Sequence, residues 1–361
     1  MAQVSRQQAI IGALMGAWIG DALALGPHWY YDLEAMRRDY GPWISDYSAP
    51  KEGRYHAGLP AGHGSQAAYI LDLMVDSLIE CGAYDEADFC RRMDEQLLQR
   101  IDGTPMAGPG GYTSQSIRDT WHKRIEQGLP WGQVAGHADT TEAIERTLAL
   151  ALRYAGDPQG LAHSIASNTR LTQNDETVVS MTVAYGAILA LLVEGEPFDT
   201  QLSGKLMQRV KSGQLPFHAV TSSQLAPPAL GTEPSRAGRF ASPDALLTPS
   251  CIAAAVVDPG VQIEPAWKVS LVYGMPCAIY HQLPAAYYRA ARYHDDFASA
   301  VLHAVNGGGQ NQARAMLTAA LVGAQVGYAG IPQRWLDGLI AGQDKLAMAE
   351  RLAAQAVAAA P

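Results

Sequence analysis

Cysteine is scarce in this 361-residue chain, and the four present, Cys81, Cys90, Cys251 and Cys277, form no CxxC pair or zinc-like cluster. That spacing excludes a disulfide scaffold and reads as a reduced, cytoplasmic protein. Basic runs are missing as well: Lys and Arg number 26 against 35 Asp and Glu, for a net charge of −9, so a surface for duplex nucleic acid is not expected. The apolar stretch near the start falls short of the ~18 residues a membrane span needs. The stretch from Ala9 to Gly20 is interrupted by Asp21, lacks a preceding basic segment and a cleavage site, and reads as a buried helix rather than a leader or an anchor. Alternating strand patterns are absent too, which argues against a parallel sheet and against Rossmann or P-loop folds. No internal repeat is evident. At 48% hydrophobic and 17% charged residues, the chain has ample material for a core.

What remains is helix, punctuated by 35 glycines and 21 prolines. Gly12, Gly16 and Gly20 recur every four residues on one helical face and invite close approach by another helix. Gly26-Pro27 ends that helix ahead of His28-Trp29-Tyr30-Tyr31-Asp32. Helical periodicity predicts helices near 67–80, 86–100, 113–127, 139–155 and 176–194, then near 250–257, 263–282, 285–303, 311–328, 332–341 and 344–358. Asp139 and Glu142 have capping-box spacing, and Thr177–Leu192 is apolar almost all round, as a central helix would be. Two irregular stretches stand out. Residues 41–66 form a long loop suited to walling a site. Residues 213–250, with Pro216, Pro227, Pro228, Pro234, Pro243 and Pro249, read as an excursion from the same domain rather than a linker. The expected fold is therefore all-α, a single multi-helix orthogonal bundle spanning 1–361.

Three polar clusters interrupt this apolar background. Asp21, followed by His28 and Asp32, places a carboxylate on an apolar helix, where it must be hydrogen-bonded, paired or aimed at a cavity. Asn306-Gly307-Gly308-Gly309-Gln310-Asn311-Gln312 precedes a strong helix with small residues at Ala315, Ala319, Gly323 and Gly327. Its glycines would let backbone N–H groups face a pyrophosphate or ribose at a helix start, although a tight turn would use the same residues. The third cluster combines 111–116 with 169–175, where Arg170 is a candidate phosphate ligand or a capping residue.

These segments carry a family resemblance. GALMGAWIGDALALGPHWYYD (12–32), YHAGLPAG (55–62), GYTSQSIRDT (111–120), GHADTTEAIERT (136–147), TRLTQND (169–175), VNGGGQNQARAML (305–317) and IPQRWLDGL (331–339) occur in the order found in the ADP-ribosylglycohydrolase family. The chain most resembles the branch that includes the jellyfish J-type lens crystallins. The resemblance implies an all-helical domain whose active members hold two magnesium ions in a central cleft. They cleave glycosidic bonds between ADP-ribose and a side chain or small acceptor.

The family's Thr-Asp-Asp run falls on His63-Gly64-Ser65-Gln66-Ala67-Ala68. Its Gly-Gly-Asp-x-Asp-Thr run falls on Gly308-Gly309-Gln310-Asn311-Gln312-Ala313. The metal-ligand carboxylates are replaced by amides and a hydroxyl, which supply no negative charge to offset magnesium's dehydration. The expectation is then a ribosyl-ligand cleft without metal or other cofactor. Ser65, Gln66, Asn306 to Gln312 and Arg170 would bind the ligand, with Asp21, His28 or Asp32 as acid or base. A hydrolase of ADP-ribosyl or related N- or O-ribosyl bonds, a non-hydrolytic nucleotide- or ribosyl-binding protein and a crystallin-like structural protein all remain open. So does a homo-oligomer.

Overall fold

The computed structural model describes residues 4–106, 108–217, 230–231, 240 and 243–359. Among them are sixteen α-helices and no β-strand. The first eight are α1 (Arg6–Leu25), α2 (Leu33–Tyr40), α3 (Gln66–Cys81), α4 (Glu86–Arg92), α5 (Gln115–Trp121), α6 (Glu142–Arg153), α7 (Pro158–Arg170) and α8 (Glu176–Val193). They are followed by α9 (Leu202–Lys211), α10 (Thr248–Val257), α11 (Val269–Tyr273), α12 (Ile279–Arg292), α13 (Phe297–Val305), α14 (Asn311–Val326), α15 (Gln333–Gly338) and α16 (Gly342–Ala358). The all-α expectation holds.

At the centre α1 and α14 run antiparallel. Every residue of α1 from Ala9 to Leu25 and every residue of α14 from Asn311 to Ala324 is buried. Helices this apolar gain stability only by being covered on all sides. The glycine stripe shows how closely these two approach. A Cβ on Gly12 would lie 2.3 Å from Gly323 O, one on Gly16 2.5 Å from Ala319 O, and one on Gly20 2.5 Å from Ala315 O. The small residues of the two helices thus oppose one another over three successive turns. α8, capped by the Asp175 carboxylate, packs against α6, α7 and α14, and α3 and α16 cover further sides of α1 and α6. By length and composition α1 and α8 would both pass for membrane spans, yet both are buried inside the bundle.

The helical boundaries depart from the sequence pattern in instructive places. The continuous helix expected over 263–282 breaks, because Gly274 adopts φ 116° and Pro276 has no N–H to donate. The helix expected at 285–303 divides, since Asp296 caps a new one, α13. α6 begins after Thr141, so Asp139 and Glu142 do not form the expected capping box. Asp139 instead accepts from the Tyr280 hydroxyl at 2.8 Å. α2, α7 and α9 were not anticipated. Residues 41–65 carry no helix beyond turns. Most of the 213–250 excursion, including Pro227, Pro228 and Pro234, lies outside the described residues.

Gly12→Ala tests the central contact. Alanine gains about 1 kcal/mol in helix propensity. Its methyl group would meet backbone atoms of α14 that no side-chain rotation can clear, and overpacking of this kind costs about 1–3 kcal/mol or more. We expect a net loss of roughly 2 kcal/mol in urea unfolding. Equal or higher stability would contradict the close approach.

Candidate active site

Asp21 is fully buried on α1 and links three helices. Its Oδ2 accepts from Ser65 N at 2.7 Å, and its Oδ1 accepts from Ser65 Oγ and from Gln312 Nε2, both at 2.6 Å. Ser65 is the N-cap of α3, so its hydroxyl also accepts from Ala67 N at 3.1 Å. Burial pushes the Asp21 carboxyl upward. The Ser65 and Gln312 hydrogen bonds and the Lys345 charge pull it back.

In front of this network lies a narrow cavity of about 100 Å³. His28, Ser65, Gln66, Gln310 and Gln312 line it, as the sequence suggested. So do Tyr112, Ser114 and Gln115 of the 111–116 cluster, together with His56, Arg118, Glu142, Glu145 and Cys277, for which the sequence suggested no place in the site. Gln66 is 3% exposed; its Nε2 donates to Thr113 Oγ1 at 3.0 Å, while its Oε1 has no protein partner. The Arg118 guanidinium donates to Tyr112 Oη and Thr113 O, at 3.1 and 2.5 Å.

Glu142 and Glu145 stand one helical turn apart at the start of α6. Glu145 is 2% exposed and accepts from Thr141 Oγ1 at 2.7 Å, whereas Glu142 is half-buried and accepts from Thr140 Oγ1. Burial pushes Glu142 up to about 8, helped by the negative charge of Glu145. Burial likewise pushes Glu145 up to about 7, with Asp21 adding to the rise and Thr141 and Gln312 opposing it. Near neutral pH the pair therefore holds a proton as a unit.

Lining the same cavity, His28 and His56 stack with ring centroids 5.0 Å apart and share a 2.7 Å hydrogen bond between His28 Nδ1 and His56 Nε2. His56 Nδ1 lies 2.8 Å from Gly110 O, and His28 Nε2 abuts the Gln310 side-chain amide at Oε1. Burial holds His56 down at about 4 and His28 well below its ordinary value, so both rings are neutral at pH 7. Two neutral rings carry two N–H groups for three contacts. The neutral chain consequently runs one way: His56 donates to Gly110 O, His28 to His56, and the Gln310 amide nitrogen, brought round by a half-turn of the amide, to His28. Trp29 and His56 both take left-handed backbone angles, φ 62° and 67°, a strain of order 1–3 kcal/mol each that tends to collect at functional sites.

Other residues expected at the site lie away from it. Asp32 is exposed and caps α2, accepting from Glu34 N and Ala35 N. Arg170 pairs with Glu176 beside a separate, larger groove of about 950 Å³, which also contains His163 and Phe240. Asn306 ties Ile44 of the long loop to α13. Asn311 donates to Pro27 O and Val305 O.

The triglycine turn is not an open phosphate cradle. Gly308 N, Gly309 N and Gln310 N donate to Val305 O, Tyr30 O and Met275 O, and Gly307 packs on Ser270. The φ angles of 63° and 61° at Gly308 and Gly309 serve backbone packing. In the sequence the glutamates are two acids three residues apart in TTEAIERT, a spacing that puts them on one face of a helix without saying what that face meets.

An all-helical bundle enclosing a polar cavity, with a proton-holding glutamate pair and neutral histidines in its lining, has the equipment for acid–base chemistry on a small polar group. The chain belongs to the ADP-ribosylglycohydrolase family, whose model matches residues 2–360. A solved "ADP-ribosylglycohydrolase-related protein complex" shares the fold, with a TM-score of 0.62 and 18% identity over 98% of this chain and 99% of that one. No curated protein matches the sequence.

The glutamates make a signed prediction for stability. Their folded pKa values lie above the ordinary 4.5, so their contribution is fully present below about pH 4.5 and is lost as pH rises through about 7 and 8. Urea unfolding from pH 4 to 9 should show wild type losing ground to the Glu142→Gln/Glu145→Gln double variant across that window. A pH-independent difference would refute the shifts.

Proposed function

We propose that the chain hydrolyses an N- or O-glycosidic bond to an ADP-ribosyl or related ribosyl group, without the family's two magnesium ions. The observation that carries this reading is the glutamate pair. Glu142, the higher of the two, gives its proton to the leaving nitrogen or oxygen as the C1′ bond breaks. Glu145, ionised, takes a proton from the water that adds to C1′, and exchange with solvent then restores the starting state. Gln66 Oε1, buried and without a protein partner, is available to accept from a ribose hydroxyl. The cavity is narrow, so the sugar end alone would enter, with the remainder of the ligand held outside.

The metal-free part rests on donor chemistry. Both oxygens of Asp21 already accept from Ser65 and Gln312, and Ser65, Gln66, Gln310 and Gln312 carry no charge. Among the described residues, no three His, Cys, Asp or Glu side chains are grouped to hold an ion. These residues do not fit a binuclear magnesium centre. A reducing, cytoplasmic setting belongs to the same proposal, supported by four free cysteines.

The small volume of the cavity favours a second reading: a ribosyl-binding or crystallin-like structural protein in which the amides close on one another. Chromatographic release of ADP-ribose from model conjugates separates the two. The hydrolase reading expects turnover that survives chelation and falls about 10²–10⁴-fold in Glu142→Gln and Glu145→Gln with the helical spectrum unchanged. Calorimetric titration with magnesium should give no stoichiometric heat. Turnover abolished by chelation, or two ions retained at Ser65 and Gln312, would overturn the metal-free mechanism. No turnover with any conjugate would leave the second reading.

A further inference from the structure

Arg289 on α12 and Arg314 in the first turn of α14 are both fully buried, and no carboxylate acts on either of them among the described residues. Arg314 holds the triglycine turn directly, and Arg289 is linked to it through Ser270. Arg314 Nη2 donates to Gly308 O. Arg289 Nη2 donates to Ser270 Oγ at 3.0 Å, and a Cβ on Gly307 would fall 2.0 Å from that same oxygen. The other contacts of Arg289 are carbonyls: Ala285 O at 3.0 Å, Ala266 O at 3.4 Å and Trp267 O at 3.5 Å. Three guanidinium nitrogens are left buried with no hydrogen-bond partner: Nε of Arg289, and Nε and Nη1 of Arg314.

A guanidinium does not shed its proton to escape such a site. Carbonyl dipoles satisfy donors but bring no countercharge, and two uncompensated cations beside one turn repel each other. Burial holds Arg314 down at about 9, and burial together with the Arg314 charge holds Arg289 well below its ordinary value. Elsewhere in this interior the chain supplies acids where a buried cation needs one, as with Asp72 and Lys345 at 2.7 Å.

We propose that a small inorganic anion of chloride size binds beneath the triglycine turn, taking its hydrogen bonds from the unpartnered N–H groups of Arg314 and Arg289. Zero exposure at both arginines excludes a nucleotide phosphate, which would stay tethered to something outside. The turn leads directly into Gln310 and Gln312, so the anion fixes one wall of the cavity without meeting the ligand. It is a structural site, independent of whether the cavity hydrolyses anything.

Crystals of the whole chain grown with bromide in place of chloride supply the test. The expected result is an anomalous peak within hydrogen-bond reach of Arg314. Thermal unfolding at constant ionic strength should also show a midpoint about 2 °C or more higher in chloride than in gluconate. Arg314→Met should abolish that difference; should this variant fail to fold, Arg289→Met serves the same purpose. Water alone at the turn, with no anomalous peak, overturns the proposal whatever the melting curves show.

Discussion

The Asp21 carboxylate is the constraint around which the site is organised. A charge-bearing group inside a buried helix is tolerated only when its lone pairs are occupied, and here the donors come from two other helices. Ser65 offers both its backbone N–H and its hydroxyl, which fixes where α3 begins. Gln312 fixes the first turn of α14. One side chain thereby sets the relative position of α1, α3 and α14, and the cavity is the space left in front of that junction. Removing the Ser65 hydroxyl or Gln312 would leave the buried Oδ1 with one donor in place of two.

The helix pair behind the junction explains why such precision is attainable. With backbones in direct contact along the Gly12–Gly16–Gly20 stripe, α1 and α14 have little freedom to slide, since any shift drives a carbonyl into a neighbouring Cα. The triglycine turn extends the same logic. Its glycines allow the chain to pass close to Tyr30 and Met275, and the backbone donors that could have met a phosphate are engaged there instead. Gln310 and Gln312 are consequently delivered to the cavity from a rigid support, and their amides have defined partners.

Electrostatics then divide the cavity. Neutral histidines locked to a backbone carbonyl orient an amide, while the two glutamates hold a proton because burial raises both and the charge of Glu145 raises Glu142 further. Burial is the common cause, yet it acts in opposite directions, suppressing positive charge on imidazole and negative charge on carboxyl. A site of this kind holds mobile protons at neutral pH.

Much of the architecture was legible from the chain alone. Periodicity, capping residues and the absence of strand patterns dictate helices, and helices apolar on every face must lie inside. The ordered motifs carry the family, and Ser65, Gln66, Gln310 and Gln312 were identifiable as neighbours because those motifs place them at two helix starts. Tertiary structure alone decided the rest. Asp32 and Arg170 sit in plausible polar contexts, but whether a side chain meets a cavity or water depends on which helix covers it. Glu142 and Glu145 look like ordinary first-turn acids, and His56 like any loop histidine; only their enclosure together gives them displaced pKa values. Local sequence determines backbone geometry because sterics and hydrogen bonding act over a few residues. Desolvation and charge coupling act between segments distant in sequence, so the chemistry of the site exists only once the fold has closed around it.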